Sequence, residues 1–193
     1  MIEVDAEGLE RAQELLKGIP GAAKKAVSTS LRKSIRGAKK EAVKKVRERY
    51  AIRKAGYVTR TIKTKVENMS AVLSSKGPVN DLAYFRTNPK SVPKRRPKTG
   101  KYLYSQVVKG EGGTIAHAFL ARMKSGHVGV FQRGDHGHDS ASLPINKLSG
   151  PSTPQMLGSP SVSQFISEKM LERMNTILAV SYTHLTLPTI WQV

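Results

Sequence analysis

The sequence predicts an α+β fold: N-terminal helices, one of them long and basic, a central mainly antiparallel sheet, a proline-rich extended segment and a C-terminal helix. Three observations carry this. Apolar residues recur every three or four positions from Val27 to Tyr50. The middle of the chain instead holds short alternating runs, broken by Gly, Pro and Ser. A helical spacing then returns after Pro160, at Phe165, Ile166, Met170 and Met174.

Taken in order, Met1 to Val4 can form a short strand. Asp5 is a candidate N-cap for a helix striped by Leu9, Ala12, Leu15 and Leu16. Gly18 suits the end of that helix and Pro20 the first turn of the next. Val27, Leu31, Ile35, Ala38, Ala42, Val46 and Tyr50 then mark a narrow apolar seam along a helix of about eight turns. A seam this thin suggests that some apolar faces need a partner.

Beyond Gly56 the period changes. Thr61–Glu67 and Ser70–Ser75 read as strands, and Leu82, Tyr84 and Phe85 as a small apolar knot. Asn88 to Lys101, with three prolines and the run Lys94-Arg95-Arg96, reads as an exposed loop. Tyr102–Val108, Ala116–Met123 and His127–Gln132 read as further strands, the last two separated by Lys124-Ser125-Gly126. Arg133–Ser142 is polar loop, and Leu143–Pro160 is extended and irregular. Ser161 to about Ala179 is helical. No internal repeat is visible.

Val180–Thr189, VSYTHLTLPT, resembles one reading frame of a transposase adaptor used in sequencing libraries, so residues 180–193 are set aside from functional reading. The expected organisation is one α+β domain over residues 1–179, with a helical arm at about 5–50.

Charge is the loudest signal. Among 193 residues, 33 Lys and Arg face 14 Asp and Glu, a net +19. The segment from Lys17 to Lys65 holds 17 basic residues against Glu41 and Glu48. Lys24, Lys25, Arg32, Lys33, Arg36, Lys39, Lys40, Lys44, Lys45 and Arg47 surround the apolar seam and form a candidate face for an anionic partner. The bland alternative is a solvated helix face, yet the scarcity of acidic neighbours on it is unusual for solubility alone. Phosphates are natural partners, because counterion release favours their neutralisation by Lys and Arg. No base-reading motif accompanies the charge.

Several classes are disfavoured. There are no cysteines, so disulfide and thiolate sites are impossible. No serine sits in a Gly-x-Ser-x-Gly elbow, and paired acids for catalysis are not evident. No cofactor is expected. Gly110-Glu111-Gly112-Gly113 lacks the spacing and following helix of a phosphate-cradling loop and reads as a turn. Asp135, His136, His138 and Asp139 crowd one loop, but such a loop is more often solvated than metal-bound. His117 and His127 read as structural. The N-terminus lacks the basic start and apolar run of a signal peptide, and no apolar run approaches the ~20 residues of a membrane span. No membrane association is expected.

The most specific stretch is LPINKLSGPSTPQML. Its prolines fix φ and remove donors, while Gly150 allows a turn. Leu143, Pro144, Ile145, Leu148, Gly150, Pro151, Ser152, Pro154, Met156 and Leu157 make a candidate subunit-docking segment. The series Leu-Pro-Ile, Gly-Pro-Ser and Pro-Gln-Met-Leu, preceded by Val130-Phe131-x-Arg133, resembles the bacteriophage minor tail protein Z family. Ile19-Pro20, Tyr50-x-Ile52 and Leu82-x-Tyr84-Phe85 fit the same order. The resemblance implies a non-enzymatic minor tail protein of a phage or prophage, acting in tail completion or joining. It implies tail or connector proteins as partners, a homo-oligomeric ring, a place in the virion tail, and assembly in the host bacterial cytoplasm. DNA contact is possible. The alternative is a nucleic-acid-binding protein, not sequence-specific, acting through its basic helix.

Overall fold

A computed structural model describes residues 2–4, 22–67, 70–95, 103–133 and 145–186. In chain order its elements are β1 (Ile2–Val4), α1 (Ala22–Arg49), α2 (Gly56–Thr59), β2 (Ile62–Glu67), β3 (Ser70–Ser75), β4 (Asn80–Asp81), a 3₁₀ turn (Leu82–Tyr84), β5 (Arg86–Asn88), β6 (Leu103–Gln106), β7 (Gly113–Ile115), β8 (Ala118–Arg122), β9 (Val128–Arg133), β10 (Ile145–Gly150), α3 (Thr153–Gly158) and α4 (Pro160–Thr186). N-terminal helix, antiparallel sheets and C-terminal helix make the fold α+β, as the sequence predicts. The helix expected from Asp5 to Lys17 lies outside the described residues. Residues form two compact units, one comprising 1–45, 59–76 and 157–193, the other 46–58 and 77–156.

The first unit contains α1 as far as Lys45, α4 and a three-stranded antiparallel sheet of order β1-β3-β2. Every predicted seam residue of α1 is buried, from Val27 at 1% exposure to Tyr50 at 8%. Ser30 and Ser34 are buried beside the seam and widen it. On α4, Val162, Ile166, Met170 and Met174 are buried at regular spacings of four, which places them on one helical face. Arg173 Nη2 donates to Glu41 Oε1 at 2.9 Å, and Lys45 Nζ sits 4.8 Å from the centre of the Phe165 ring. The later residue of α4 meets the earlier residue of α1, so the two helices run antiparallel. Gly37 permits close approach here: a Cβ at that position would lie 2.9 Å from Arg173 Nη1. The β2–β3 hairpin pairs Ile62 with Ser75 through Glu67 with Ser70, and Ile62, Ala71 and Leu73 are buried. The seam expected to await an external partner is therefore already buried within the chain.

The second unit contains two antiparallel sheets, β4-β10-β9-β8 and β5-β6-β7. Phe85, Leu103, Val130, Val58 and Met156 are among its fully buried side chains. The rings of Tyr57 and Tyr84 stack at 3.9 Å between centroids. The β8–β9 hairpin turns through Lys124-Ser125-Gly126, where Met123 N donates to His127 O at 2.8 Å and Gly126 takes a φ of 83°. Gly150 lies flat against Phe85, since an added Cβ would come within 2.6 Å of Cε2 of that ring. Asp81, with a side chain 4% exposed, has Oδ2 3.0 Å from both Lys147 Nζ and His127 Nε2. His127 thus lies against a buried carboxylate.

The segment expected to be irregular from Leu143 to Pro160 is corrected. Ile145–Gly150 is the strand β10, paired with β9 over Ile145–Leu148 and with β4 at Ser149 and Gly150. A capping box then starts α3. Ser152 N donates to Gln155 Oε1 at 2.8 Å, and Gln155 N donates to Ser152 Oγ at 3.3 Å. Pro154 stands in the first turn, where its missing N–H costs little. Ser-x-x-Gln is a local helix start signal that the prolines mask at first reading.

Candidate functional site

Within the second unit, the segment after α1 builds a basic cleft. Tyr50 and Ile52 make isolated antiparallel bridges to Val108 and Phe85. Backbone bonds fix both ends: Ala51 N to Val107 O, Lys109 N to Arg49 O and Arg53 N to Tyr84 O, each 2.8 Å. The segment thereby ties the start of β5 and the turn after β6 to one place. Gly110, at φ 88°, closes that turn with Glu111 N donating to Val108 O at 3.2 Å.

The cleft has a volume of about 610 Å³ and is lined by Arg47, Ala51, Ile52, Arg53, Arg86, Thr87, Lys90, Gln106, Lys109 and Gly110. Five of these ten carry a positive charge and none is acidic, so the cleft concentrates positive potential. All five cations are exposed. Arg53 is also built into the wall. Its Nη1 donates to Lys90 O at 2.7 Å, and its Nη2 donates to Thr87 Oγ1. Thr87 is 2% exposed and donates in turn to Pro89 O at 3.0 Å. A buried hydroxyl thus holds a guanidinium at the cleft, and Arg53 itself braces the turn at Lys90.

The sequence-predicted basic face is partly as expected. Lys25, Arg32, Lys33, Arg36, Lys40, Lys44 and Arg47 are exposed. Lys39 and Lys45 are corrected: both are partly buried and engaged inside the first unit. Lys39 Nζ donates to Ile62 O at 2.7 Å, while Lys45 lies on Phe165. Long aliphatic stems let lysines on the rim of a seam fold back onto it, a behaviour the helical spacing alone does not reveal. The Lys24 side chain lies outside the described residues.

Of the ten candidate docking residues, Leu143 and Pro144 lie outside the described residues. Ile145 is exposed at 38%; Leu148, Gly150, Pro151 and Pro154 are partly buried. Met156 and Leu157 are corrected as surface anchors, being 0% and 4% exposed, and Ser152 caps α3. The structure brings Arg47 alone of the predicted basic face into the cleft. Arg53, the pair Arg86 and Lys90, and Lys109 escape sequence reading because they stand on three distant stretches of chain, which the bridges at Tyr50 and Ile52 gather.

Among the described residues there is no group of three or more His, Cys, Asp or Glu that could hold a metal, and no helix is long and apolar enough to cross a membrane. The His136 and His138 loop lies outside the described residues. A family model described as Prophage minor tail protein Z (GPZ) matches residues 5–184. No curated protein and no solved structure matches the chain.

Proposed function

Since the chain belongs to the prophage minor tail protein Z family, a family of phage minor tail structural proteins, we propose that it completes or joins the tail through protein–protein contacts. The observation that carries this is the extent of the match, residues 5–184 of 193. In this reading the protein is a structural, non-catalytic component of the virion tail, made and assembled in the bacterial host. Its partners are other tail or connector proteins and further copies of itself arranged as a ring.

The docking role falls on β10 and its flanks. Ile145 offers an exposed apolar side chain. Ile145–Leu148 pairs with β9, and the β4 register reaches only Ser149 and Gly150, so the other edge of β10 is open over those four residues among the described ones. An open edge and an apolar anchor suit addition of a neighbouring strand. Met156 supports this segment from inside. The exposed cations of α1, chiefly Arg36, Lys40 and Lys44, face an acidic tail or connector surface or DNA. The test is deletion of the gene in an inducible prophage, with imaging and plaque titration of the lysate. The reading expects unjoined or incomplete particles and lost infectivity, restored by the gene in trans. Normal infectious particles from the deletion contradict it.

A second reading, nucleic-acid binding without base specificity, draws on the one-sided exposure of α1 cations, where Glu41 is already paired with Arg173. It expects tight binding by the free protein that weakens steeply between about 50 and 200 mM salt.

A further inference from the structure

The basic cleft of the second unit has properties that the exposed face of α1 lacks. Its five charges come from three separate stretches of chain and line one volume of about 610 Å³. Among the described residues, the side chains of Arg47, Arg86, Lys90 and Lys109 make no ion pair or hydrogen bond. Arg53 is pre-positioned by Lys90 O and the buried Thr87 hydroxyl. Like charges gathered with no acidic side chain among the ten lining residues repel one another, so an occupant that supplies several negative charges would stabilise the cleft.

We propose that this cleft seats phosphodiester groups of a nucleic-acid backbone, independently of bases. A phosphate chain suits this arrangement: each strand of duplex DNA presents one negative charge per about 3.4 Å of axis, so one strand crossing the cleft can meet several cations. An extended peptide reaches that spacing only where every residue is acidic, and its successive side chains point to opposite sides. The lining points the same way. The guanidiniums of Arg47 and Arg86 offer planar forks suited to oxyanions, and Arg53, engaged by Lys90 O and Thr87 Oγ1, adds a fixed positive charge. The apolar share is Ala51, Ile52 and Gly110, with no aromatic ring among the described lining residues on which a base could stack or a protein anchor could pack. The cleft therefore holds backbone and reads no sequence. This stands apart from the tail-joining role, which particle infectivity scores separately.

The test compares two variants of equal net charge. One carries Arg86→Glu, Lys90→Glu and Lys109→Glu in the cleft. The other carries Arg36→Glu, Lys40→Glu and Lys44→Glu on α1. The probe is a mixed-sequence duplex DNA oligonucleotide, followed by fluorescence anisotropy across salt, with circular dichroism to verify each fold. The cleft variant should bind at least tenfold more weakly than the α1 variant. Its log–log salt slope should also be shallower, by roughly 0.9 for each phosphate it no longer neutralises. Glutamine at the same three cleft positions should act in the same direction with a smaller loss, and serves if the Glu variant unfolds. Equal losses in both variants would reduce the effect to bulk charge and overturn the proposal, as would undiminished binding by the cleft variants. Competition by poly-glutamate as effective as by DNA of matched charge would overturn it in favour of an acidic protein.

Discussion

The two units of this chain bury their cores by different means. In the first, two antiparallel helices supply most of the buried apolar surface, in regular steps: Val27, Leu31, Ile35, Ala38 and Ala42 from one, Val162, Ile166, Met170 and Met174 from the other. In the second, short strands two to six residues long contribute no more than two buried side chains each, around Phe85, Leu103 and Val130. Buried polar groups enter there as well, at Asn80, Asp81, Thr87 and Ser105. Their cations differ in the same way. On α1 they spread along an exposed helical face, whereas in the strand unit chain crossings gather them into one cleft. A periodic element can carry charge on its outer side at little cost to its core. A charge cluster assembled from distant strands depends on those strands being held in place.

That contrast can be broken most severely in the helical unit. Ile35→Asp puts an unpaired carboxylate into a seam position that is 2% exposed. The expected loss is about 4–5 kcal/mol, at the upper end of single-residue effects. Hydrogen exchange should rise first in peptides from α1 and α4. Exchange unchanged in those peptides would mean that the seam does not hold the unit.

Phe85→Ala attacks the strand unit. Removing a ring that is 0% exposed should cost about 3–5 kcal/mol in chemical denaturation. Because Phe85 also bridges to Ile52, the variant should loosen the cleft and weaken DNA binding along with stability. Retained DNA affinity in a destabilised Phe85→Ala protein would separate the cleft from the core beneath it.

Gly150→Ala is a finer probe of the same core. The new methyl meets a buried ring at 2.6 Å, and a ring enclosed on all sides yields poorly. Overpacking of this kind should cost about 1–3 kcal/mol, readable as a lowered thermal midpoint. A neutral substitution would show that β10 has room to shift on Phe85.

The smallest effects compare lysines on one helix. Lys40→Glu with Lys44→Glu alters two exposed side chains, and each should change stability by no more than about 0.5 kcal/mol. Lys39→Glu with Lys45→Glu should be clearly worse, because Lys39 loses its bond to Ile62 O and Lys45 its place on Phe165. Equal melting curves for the two pairs would show that those interactions contribute nothing.

How much of this was legible depends on the distance over which each element is specified. The α1 seam was readable residue by residue, because one face of a helix needs only its own spacing. The β2–β3 hairpin was placed to within a residue by its β-branched alternation, and the β8–β9 strands to within two by Lys124-Ser125-Gly126 between them. Less was visible where strands are very short: β4, β5 and β7 hold two or three residues each and show no period. Prolines drew attention to the segment around Leu148 but concealed both its pairing with β9 and the capping box at Ser152. The cleft was invisible, since nothing local links Arg53 with Lys109. The overall charge was the sole trace of it.

The central claim is that this protein is a structural part of the phage tail. The most direct measurement is quantitative mass spectrometry of gradient-purified particles from an induced lysogen. The chain should co-purify with intact tails in a constant ratio to the other tail proteins, as expected of a ring of fixed copy number. A chain abundant in the lysate but absent from purified particles would contradict that claim.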